Sequence, residues 1–156
     1  YLSGRVLDIG CGIGDFLAYR PDTVGIDVNP LLVEHCRRNG WEAHWMRTLP
    51  IPFAARSFAG AVLDNVLEHL EEPREMLDEA RRILSAKGTL VVGVPGRKGF
   101  ASDSDHKHFY DEIRLRADVT SSGFHCEKLW HLPVRAPRLD RYFSQFALYG
   151  VFRRLD

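Results

Sequence analysis

The chain has 156 residues, of which 45% are apolar and 27% charged, a composition that suits one globular domain over residues 1–156 and excludes a disordered or fibrous protein. Basic and acidic residues number 21 each, and this balance argues against a nucleic-acid binder. No apolar stretch has the length of a membrane span. Three widely spaced cysteines are typical of free thiols in a reducing compartment, so we expect a cytoplasmic protein. Because the chain begins at Tyr1 rather than at a methionine, we expect it to be a trimmed or partial chain.

Apolar runs alternate with helical stripes along the chain, a pattern typical of a parallel sheet covered by helices. Six strands are predicted, at residues 5–9, 23–28, 41–46, 58–63, 88–94 and 124–131. Helices are predicted at residues 15–19, between Pro30 and Gly40, from Pro73 onward and at residues 109–121, and residues 95–108 are predicted to form a loop. Asn29 as N-cap and a proline in the first turn mark the start of the second helix. The pattern therefore predicts an α/β fold.

The end of the sequence allows two interpretations. A helix is predicted by the spacing of Leu139, Tyr142, Phe143, Phe146 and Gly150, whereas Phe146, Leu148 and Gly150 alternate as in a strand. We predict the helix. The aromatic residues between 142 and 152 would then cover the sheet. A substrate lid or a homodimer contact is the alternative, which the preceding arginines at 135, 138 and 141 favour.

Three glycines at alternate positions, Gly10, Gly12 and Gly14, follow the first predicted strand. Glycine lets the backbone turn sharply and approach a ligand closely. A dinucleotide-binding loop has the spacing G-x-G-x-x-G, but Asp15 takes the place of its last glycine. The spacing therefore disfavours a nicotinamide dinucleotide, and a plain strand-to-helix turn is the structural alternative.

Asp27 ends the second predicted strand. A carboxylate at this point accepts hydrogen bonds from the ribose hydroxyls of an adenosine moiety, and the alternative is an acid that caps the next turn. Because the glycine loop and Asp27 lie at neighbouring strand ends, the two features together favour an adenosine-containing cofactor.

These motifs, in this order and spacing, resemble the class I S-adenosylmethionine-dependent methyltransferases, specifically the small-molecule type known as type 11. The matching segments are residues 7–14, 25–28, 51–53, 57–58, 67–70, 82–84, 88–90 and 123–124, so the resemblance covers nearly the whole chain. It implies a Rossmann-like, doubly wound, mostly parallel sheet of strand order 3-2-1-4-5, with an antiparallel strand beyond. It also implies S-adenosylmethionine as cofactor and methyl transfer to a small-molecule acceptor.

The resemblance implies roles for individual residues as well. Those that would surround the methionine part of the cofactor are Asp8, Gly10, Cys11, Gly12 and Gly14. Asp27 would hold the ribose and Val28 would pack on the adenine. An acid usual in this family after the third strand is replaced here by Arg47, so Arg47 or Thr48 would face the adenine. The sequence also departs from the family at Ala59, in place of an aspartate, and at residues 86–87, in place of Pro-Gly.

Histidines lie in two loops that would meet at the carboxyl edge of the sheet, where open α/β sheets bind ligands. His69 follows the fourth predicted strand, and His106 and His108 follow the fifth. A base is needed only where the methyl acceptor is protonated. We name His106 as the candidate base and His69 as the second, against the alternative of solvated or packing imidazoles. Nearby Asp103 and Asp105 would orient a polar substrate or be solvated.

No metal is predicted, because His35, Cys36 and His44 lack the spacing of a metal site. Two other functions stay open. A nicotinamide-dependent oxidoreductase is disfavoured by the glycine spacing. A non-catalytic subunit or sensor that binds S-adenosylmethionine stays open because of the Arg47 departure and the short substrate region.

Overall fold

A computed structural model describes residues 1–134 and 146–156 of the chain. Its strands are β1 (Val6–Ile9), β2 (Thr23–Asp27), β3 (Ala43–Trp45), β4 (Phe58–Asp64), β5 (Leu84–Pro95), β6 (Phe124–Leu132) and β7 (Ala147–Arg154). They form a sheet in the order β3-β2-β1-β4-β5-β7-β6. Strands β1 to β5 pair in parallel, and β7 runs antiparallel to both β5 and β6. The predicted fold class, the strand order 3-2-1-4-5 and the added antiparallel strand are confirmed.

Helices and loops connect the strands of this sheet. The helices are α1 (Asp15–Tyr19), α2 (Pro30–Arg38), α3 (Pro73–Ile83), α4 (Arg97–Ala101) and α5 (Glu112–Ser121), with a 3-10 helix at Leu67–His69. The predicted cap of α2 is present, because the Asn29 side chain accepts a hydrogen bond from the Leu31 amide at 2.9 Å. Within residues 1–134 and 146–156, no helix is long and apolar enough to cross a membrane.

The core lies along the central strands, which are buried on both faces as is usual for a covered parallel sheet. Side chains that are at most 1% exposed include Leu7, Ile9, Ile26, Leu63 and Leu90. On α3, the apolar stripe of Met76, Leu77, Ala80 and Ile83 is buried against them. This rigid centre holds the carboxyl ends of β1, β2, β4 and β5 at one edge of the sheet.

One arginine fastens the segment before β4 to α3. The Arg82 guanidinium donates to the carbonyl oxygens of Ile51 and Phe53, each at 2.8 Å, and to the Glu79 carboxylate at 2.7 Å and 2.9 Å. Glu79 also accepts a hydrogen bond from the Ile51 amide at 2.7 Å. The pKa of the Glu79 carboxyl is lowered, chiefly by the Arg82 hydrogen bond. The two side chains thus form a charged network that fixes the path of the chain into β4.

The helix predicted near the end of the chain is wrong over residues 147–154, which form β7. Gly150 pairs with both Val92 of β5 and Leu129 of β6, so it sits inside the sheet. Phe146, another residue behind that prediction, is buried and directly precedes β7. Leu139, Tyr142, Phe143 and the preceding arginines fall at positions 135–145, outside the described residues. Residues 95–108 contain α4 in addition to the predicted loop.

Candidate functional site

The glycine loop after β1 adopts backbone conformations that favour glycine. Gly10, Gly12 and Gly14 have φ angles of 78°, 53° and 89°. A Cβ atom on Gly10 would lie 2.6 Å from Val66, and one on Gly14 would lie 2.7 Å from the Trp41 ring, whereas nothing lies within 4 Å of the Cβ position of Gly12. The outer glycines therefore fit packed surroundings, and Gly12 leaves room for a ligand.

Asp27 joins this loop to the start of α2. Its carboxylate accepts hydrogen bonds from the Gly12 amide at 2.9 Å and from the Asn29 amide at 2.8 Å. The capping interaction considered as an alternative is therefore present. Each carboxylate oxygen has a second lone pair, so the cap leaves hydrogen-bonding capacity for ribose hydroxyls.

Asp8 is a buried acid at the same edge, 5% exposed. It lies in register with Gly25 of β2 and Val62 of β4. Burial raises the pKa of Asp8 from 3.8 to about 7, with further increases from the charges of Asp64 and Asp27. Three carboxyl groups thus create a negative potential where β1, β2 and β4 end.

A cavity of about 310 Å³ opens beside the ends of β2 and β3. Its walls are formed by Val28, Met46, Thr48, Leu49, Leu70, Met76 and the glutamates at 71, 72 and 75. The Val28 side chain is exposed, while its carbonyl accepts a hydrogen bond from Trp45 Nε1 at 2.9 Å. The cavity takes in Thr48 but not its exposed neighbour Arg47. The described geometry thus groups Val28 with Thr48.

Asp64 and Tyr149 form a pair that the sequence analysis did not identify. Gly93 of β5 lies in register with Asp64 of β4 on one side and Tyr149 of β7 on the other. Because Gly93 has no side chain, the Tyr149 hydroxyl reaches across it and donates to the Asp64 carboxylate oxygens at 3.0 Å and 3.1 Å. Partial desolvation raises the pKa of Asp64 although the residue is exposed at the end of β4, and the hydrogen bond from Tyr149 opposes that rise. An aspartate at the end of the fourth predicted strand was the available signal for this pair.

The two candidate bases lie together, with the ring centroids of His69 and His106 4.5 Å apart. His106 is nearly buried, its side chain 8% exposed. Its Nδ1 lies 2.8 Å from the Phe100 carbonyl oxygen, which can only accept, so Nδ1 carries the proton. The loop acid Asp105 lies 3.4 Å from His69 Nδ1, and Asp103 lies 3.9 Å from His106 Nε2. His108 instead contacts the Glu71 carbonyl and Arg114.

Glu68 is a further residue that the sequence did not single out, although it lies beside His69. Its side chain is 0% exposed, and neither carboxylate oxygen has a hydrogen-bond partner among the described residues. Burial raises the pKa of Glu68 to about 7. The Glu68 carbonyl accepts hydrogen bonds from the Lys107 and His108 amides at 2.7 Å and 3.2 Å. These bonds bring the loop after β5 onto the 3-10 helix and so place His106 beside Glu68.

Comparison with known families agrees with this arrangement of glycine loop, acid and sheet edge. The sequence profile described as a methyltransferase domain of type 11 matches residues 7–92. The chain belongs to this methyltransferase family. The match runs from β1 into β5 and includes the glycine loop, Asp27 and the Glu68-His69 pair.

Relatives of this methyltransferase domain are found among archaeal proteins. It is 31% identical over 124 residues to an uncharacterized protein of Methanocaldococcus jannaschii, covering 76% of this chain and 54% of that protein. A second protein of the same organism is 29% identical over 97 residues, 62% of this chain and 47% of that protein. The chain therefore spans about half the length of these two relatives.

Solved structures share the fold of the domain at low identity. The methyltransferase solved in complex with the Trm112 methyltransferase activator of Haloferax volcanii has a TM-score of 0.82 at 18% identity, covering 97% of this chain and 83% of that one. A SAM-dependent methyltransferase of Thermotoga maritima has a TM-score of 0.82 at 20% identity, covering 99% of this chain and 84% of that one. These likenesses show the class I methyltransferase fold.

Proposed function

We propose that this methyltransferase domain binds S-adenosylmethionine at the carboxyl ends of β1, β2 and β3 and transfers its methyl group to a small-molecule acceptor. The proposal rests chiefly on the hydrogen bond from the Gly12 amide to Asp27. That bond places a glycine loop with open space against an acid at the neighbouring strand end, an arrangement that suits an adenosine-containing ligand.

The charge of the site suits this cofactor. Asp8, Asp27 and Asp64 lie close enough for the charges of the other two to raise the pKa of Asp8. A ligand with positive charge relieves that repulsion. When bound, S-adenosylmethionine supplies a methyl group on a positively charged sulfur, together with a charged amino group. The residues present therefore fit the cofactor better than they fit the anionic pyrophosphate of a nicotinamide dinucleotide.

Each group of residues at the carboxyl ends of β1, β2 and β3 then has a role in holding the cofactor. Asp8, Gly10, Cys11, Gly12 and Gly14 surround the methionine part, with Asp8 supplying negative charge. Asp27 holds the ribose hydroxyls with its remaining lone pairs. Val28 and Thr48, which line the same cavity, form the adenine side. Arg47, outside that cavity wall, covers the adenine from the solvent side.

On the acceptor side, His106 is proposed as the base. Its Nδ1 donates to the Phe100 carbonyl, which leaves the lone pair on Nε2 available to take a proton. His69 is the second candidate, because its ring lies beside His106 and its side chain is 31% exposed. Most of the rate enhancement is assigned to positioning of the acceptor against the methyl group.

The compartment and the assembly belong to the same proposal. All three cysteines are free and buried, which supports the prediction of a cytoplasmic protein. The homodimer remains a prediction, because the arginines that favoured it lie outside the described residues.

Calorimetry with S-adenosylhomocysteine and NADH tests the cofactor. Asp27→Ala should weaken binding of S-adenosylhomocysteine about tenfold to a hundredfold, the loss of about 1.5–3 kcal/mol for a hydrogen bond to a charged group. Asp22→Ala is the matched control, since exposed Asp22 precedes the same strand at its opposite end. Circular dichroism checks that each variant is folded.

Three results would contradict parts of the proposal. NADH binding without a response to S-adenosylhomocysteine would favour the oxidoreductase. An unchanged dissociation constant for a folded Asp27→Ala would reduce Asp27 to a cap. Cofactor binding without transfer of a labelled methyl group to any member of a panel of small phenols, amines and carboxylic acids would favour the non-catalytic subunit.

A further inference from the structure

Glu68 is a buried acid with no role in the methyl-transfer proposal above. Its carboxylate is inaccessible to solvent, and both oxygens are without a hydrogen-bond partner among residues 1–134 and 146–156. Burying a carboxylate is unfavourable unless it is protonated, paired or bound to a metal. The groups around Glu68 decide between these outcomes.

Two imidazoles face this carboxylate. One nitrogen each of His69 and His106 and one oxygen of Glu68 all lie within 4.8 Å of one another. His106 Nε2 is 4.0 Å from Glu68 Oε1, too far for a hydrogen bond. A metal ion about 2.1 Å from each of two ligand atoms separates them by about 3–4 Å. The spacing of these three side chains is thus close to that of ligands around one ion.

The His106 imidazole is also oriented as metal-binding histidines usually are, and His69 has a carboxylate near one ring nitrogen. In such sites the second ring nitrogen donates to a carbonyl or a carboxylate, which fixes the ring and its protonation. Here the Phe100 carbonyl lies 2.8 Å from His106 Nδ1, and Asp105 lies 3.4 Å from His69 Nδ1. The Phe100 ring stacks on His106 with centroids 5.3 Å apart and holds the imidazole in place.

We propose that Glu68, His69 and His106 form a binding site for one divalent transition-metal cation of the Zn²⁺ type. Two imidazole nitrogens and one carboxylate suit Zn²⁺ and its neighbours in the first transition row, whereas Mg²⁺ and Ca²⁺ prefer all-oxygen ligands. Three protein ligands leave one position open in a tetrahedral site. This inference departs from the prediction of no metal, which considered only His35, Cys36 and His44.

The cation changes the chemistry of the acceptor side, and this consequence rests on the proposed methyl transfer. With the metal bound, the lone pair on His106 Nε2 is shared with the cation and no longer takes a proton. A hydroxyl group bound at the open position has its pKa lowered by the metal. The metal-loaded domain therefore favours acceptors that carry an oxygen ligand, and the metal-free domain relies on His106.

Metal titration of the full chain tests the site without any methyl-transfer assay. The protein is stripped with EDTA, dialysed and titrated with ZnCl₂ by calorimetry, with MgCl₂ as the comparison. In a parallel titration with CoCl₂, binding of Co²⁺ to the protein is followed by visible absorption. We expect one Zn²⁺ per chain, no heat from Mg²⁺, and cobalt bands without the charge-transfer band that cysteine thiolates produce.

Variants locate the ligands. Glu68→Gln keeps the shape of the side chain, and His69→Ala changes a partly exposed one, so both should remain folded by circular dichroism. Each should weaken Zn²⁺ binding at least tenfold. His44→Ala is the matched control, because His44 Nε2 also faces a glutamate, Glu42 Oε1 at 3.2 Å, but at the half-buried middle of β3 and apart from the Glu68 cluster. The affinity of the His44→Ala variant for Zn²⁺ should equal that of the wild type.

The proposal is overturned if the wild type binds no Zn²⁺, if both variants bind it as tightly as the wild type, or if the cobalt spectrum shows thiolate ligands. If Zn²⁺ binds as expected but S-adenosylhomocysteine does not, the metal site stands and the proposed cofactor fails. The two proposals can therefore fail separately.

Discussion

Replacing Asp8 with asparagine should flatten the pH dependence of the free energy of unfolding. The pKa of Asp8 rises from 3.8 to about 7 in the folded protein because the carboxyl is buried and faces Asp64 and Asp27. The folded protein therefore binds this proton more tightly than the unfolded chain does. A group with a raised pKa contributes stability that is complete below the unfolded pKa and is lost as the pH rises through the folded pKa. Wild-type stability should accordingly fall between about pH 4 and pH 7.

The size of the effect follows from the pKa values. A rise from 3.8 to about 7 corresponds to about 4 kcal/mol at high pH, and about 2.5 kcal/mol of this is lost between pH 5 and pH 8. Asparagine has no carboxyl proton, so the variant lacks this part of the slope. Raised pKa values at Glu68 and Asp64 act in the same direction in both proteins, and the difference between the proteins isolates Asp8.

Urea unfolding at pH 5, 6, 7 and 8, followed by tryptophan fluorescence, measures this difference. The free energies of wild type and Asp8→Asn should diverge by about 2.5 kcal/mol across that range. Asp22→Asn, at an exposed position, should run parallel to the wild type. If the free energy of unfolding of Asp8→Asn changes with pH in parallel with that of the wild type, the argument that burial raises the pKa of Asp8 is refuted. Added S-adenosylhomocysteine should stabilise the wild type more than this variant at pH 8, because its amino group supplies the missing positive charge.

Three further substitutions test the packing around the site. Tyr149→Phe removes the hydrogen bond to the Asp64 carboxylate, which belongs to a solvent-exposed residue, and should lower the free energy of unfolding in urea by about 0.5–1.5 kcal/mol at neutral pH; an unchanged midpoint would mean that water replaces the hydroxyl without loss. Gly93→Ala places a methyl group against Asp64 and the Tyr149 ring and should destabilise the protein by about 1–3 kcal/mol, in contrast to a neutral result if the pair can move aside. Arg82→Lys cannot span two carbonyls and the Glu79 carboxylate, and thermal unfolding should show a loss of about 1–3 kcal/mol; a melting temperature equal to that of the wild type would show that the network adds no stability.

Much of the fold could be predicted from the sequence, because buried parallel strands and capped helices carry strong local signals. Asn29 and Gly40 marked both ends of α2, and the apolar runs marked the five parallel strands. β7 was misassigned for a physical reason. One set of alternate residues, Leu148, Gly150 and Phe152, is buried, while the other set is mostly half-buried. The alternation of Phe146, Leu148 and Gly150 competes with a helical spacing that uses some of the same residues, and the pairing of β7 with two strands depends on distant segments. Gly150 fits within it because Phe152 and Leu129 fill the space of its missing side chain.

The candidate site was predictable where one strand end carries the signal, as with Gly12 and Asp27. It was not predictable where two distant segments meet. Glu68 looks like an ordinary acid after a strand, and only the folded chain shows that the loop carrying His106 covers it. Tyr149 reaches Asp64 across Gly93, a contact that depends on strand order rather than on spacing in the sequence.

The position of β7 sets an order of events during synthesis. Of the described strands β7 is made last, yet it lies between β5 and β6. While the chain is still on the ribosome, β1 to β5 can pair with one another, but β5 keeps an unpaired edge and β6 has no neighbour in the sheet. Unpaired strand edges are prone to join other chains. The nascent protein therefore exposes the edge of β5 until Ala147–Arg154 emerges, and insertion of that strand pairs this edge, joins β6 to the sheet and brings Tyr149 to Asp64.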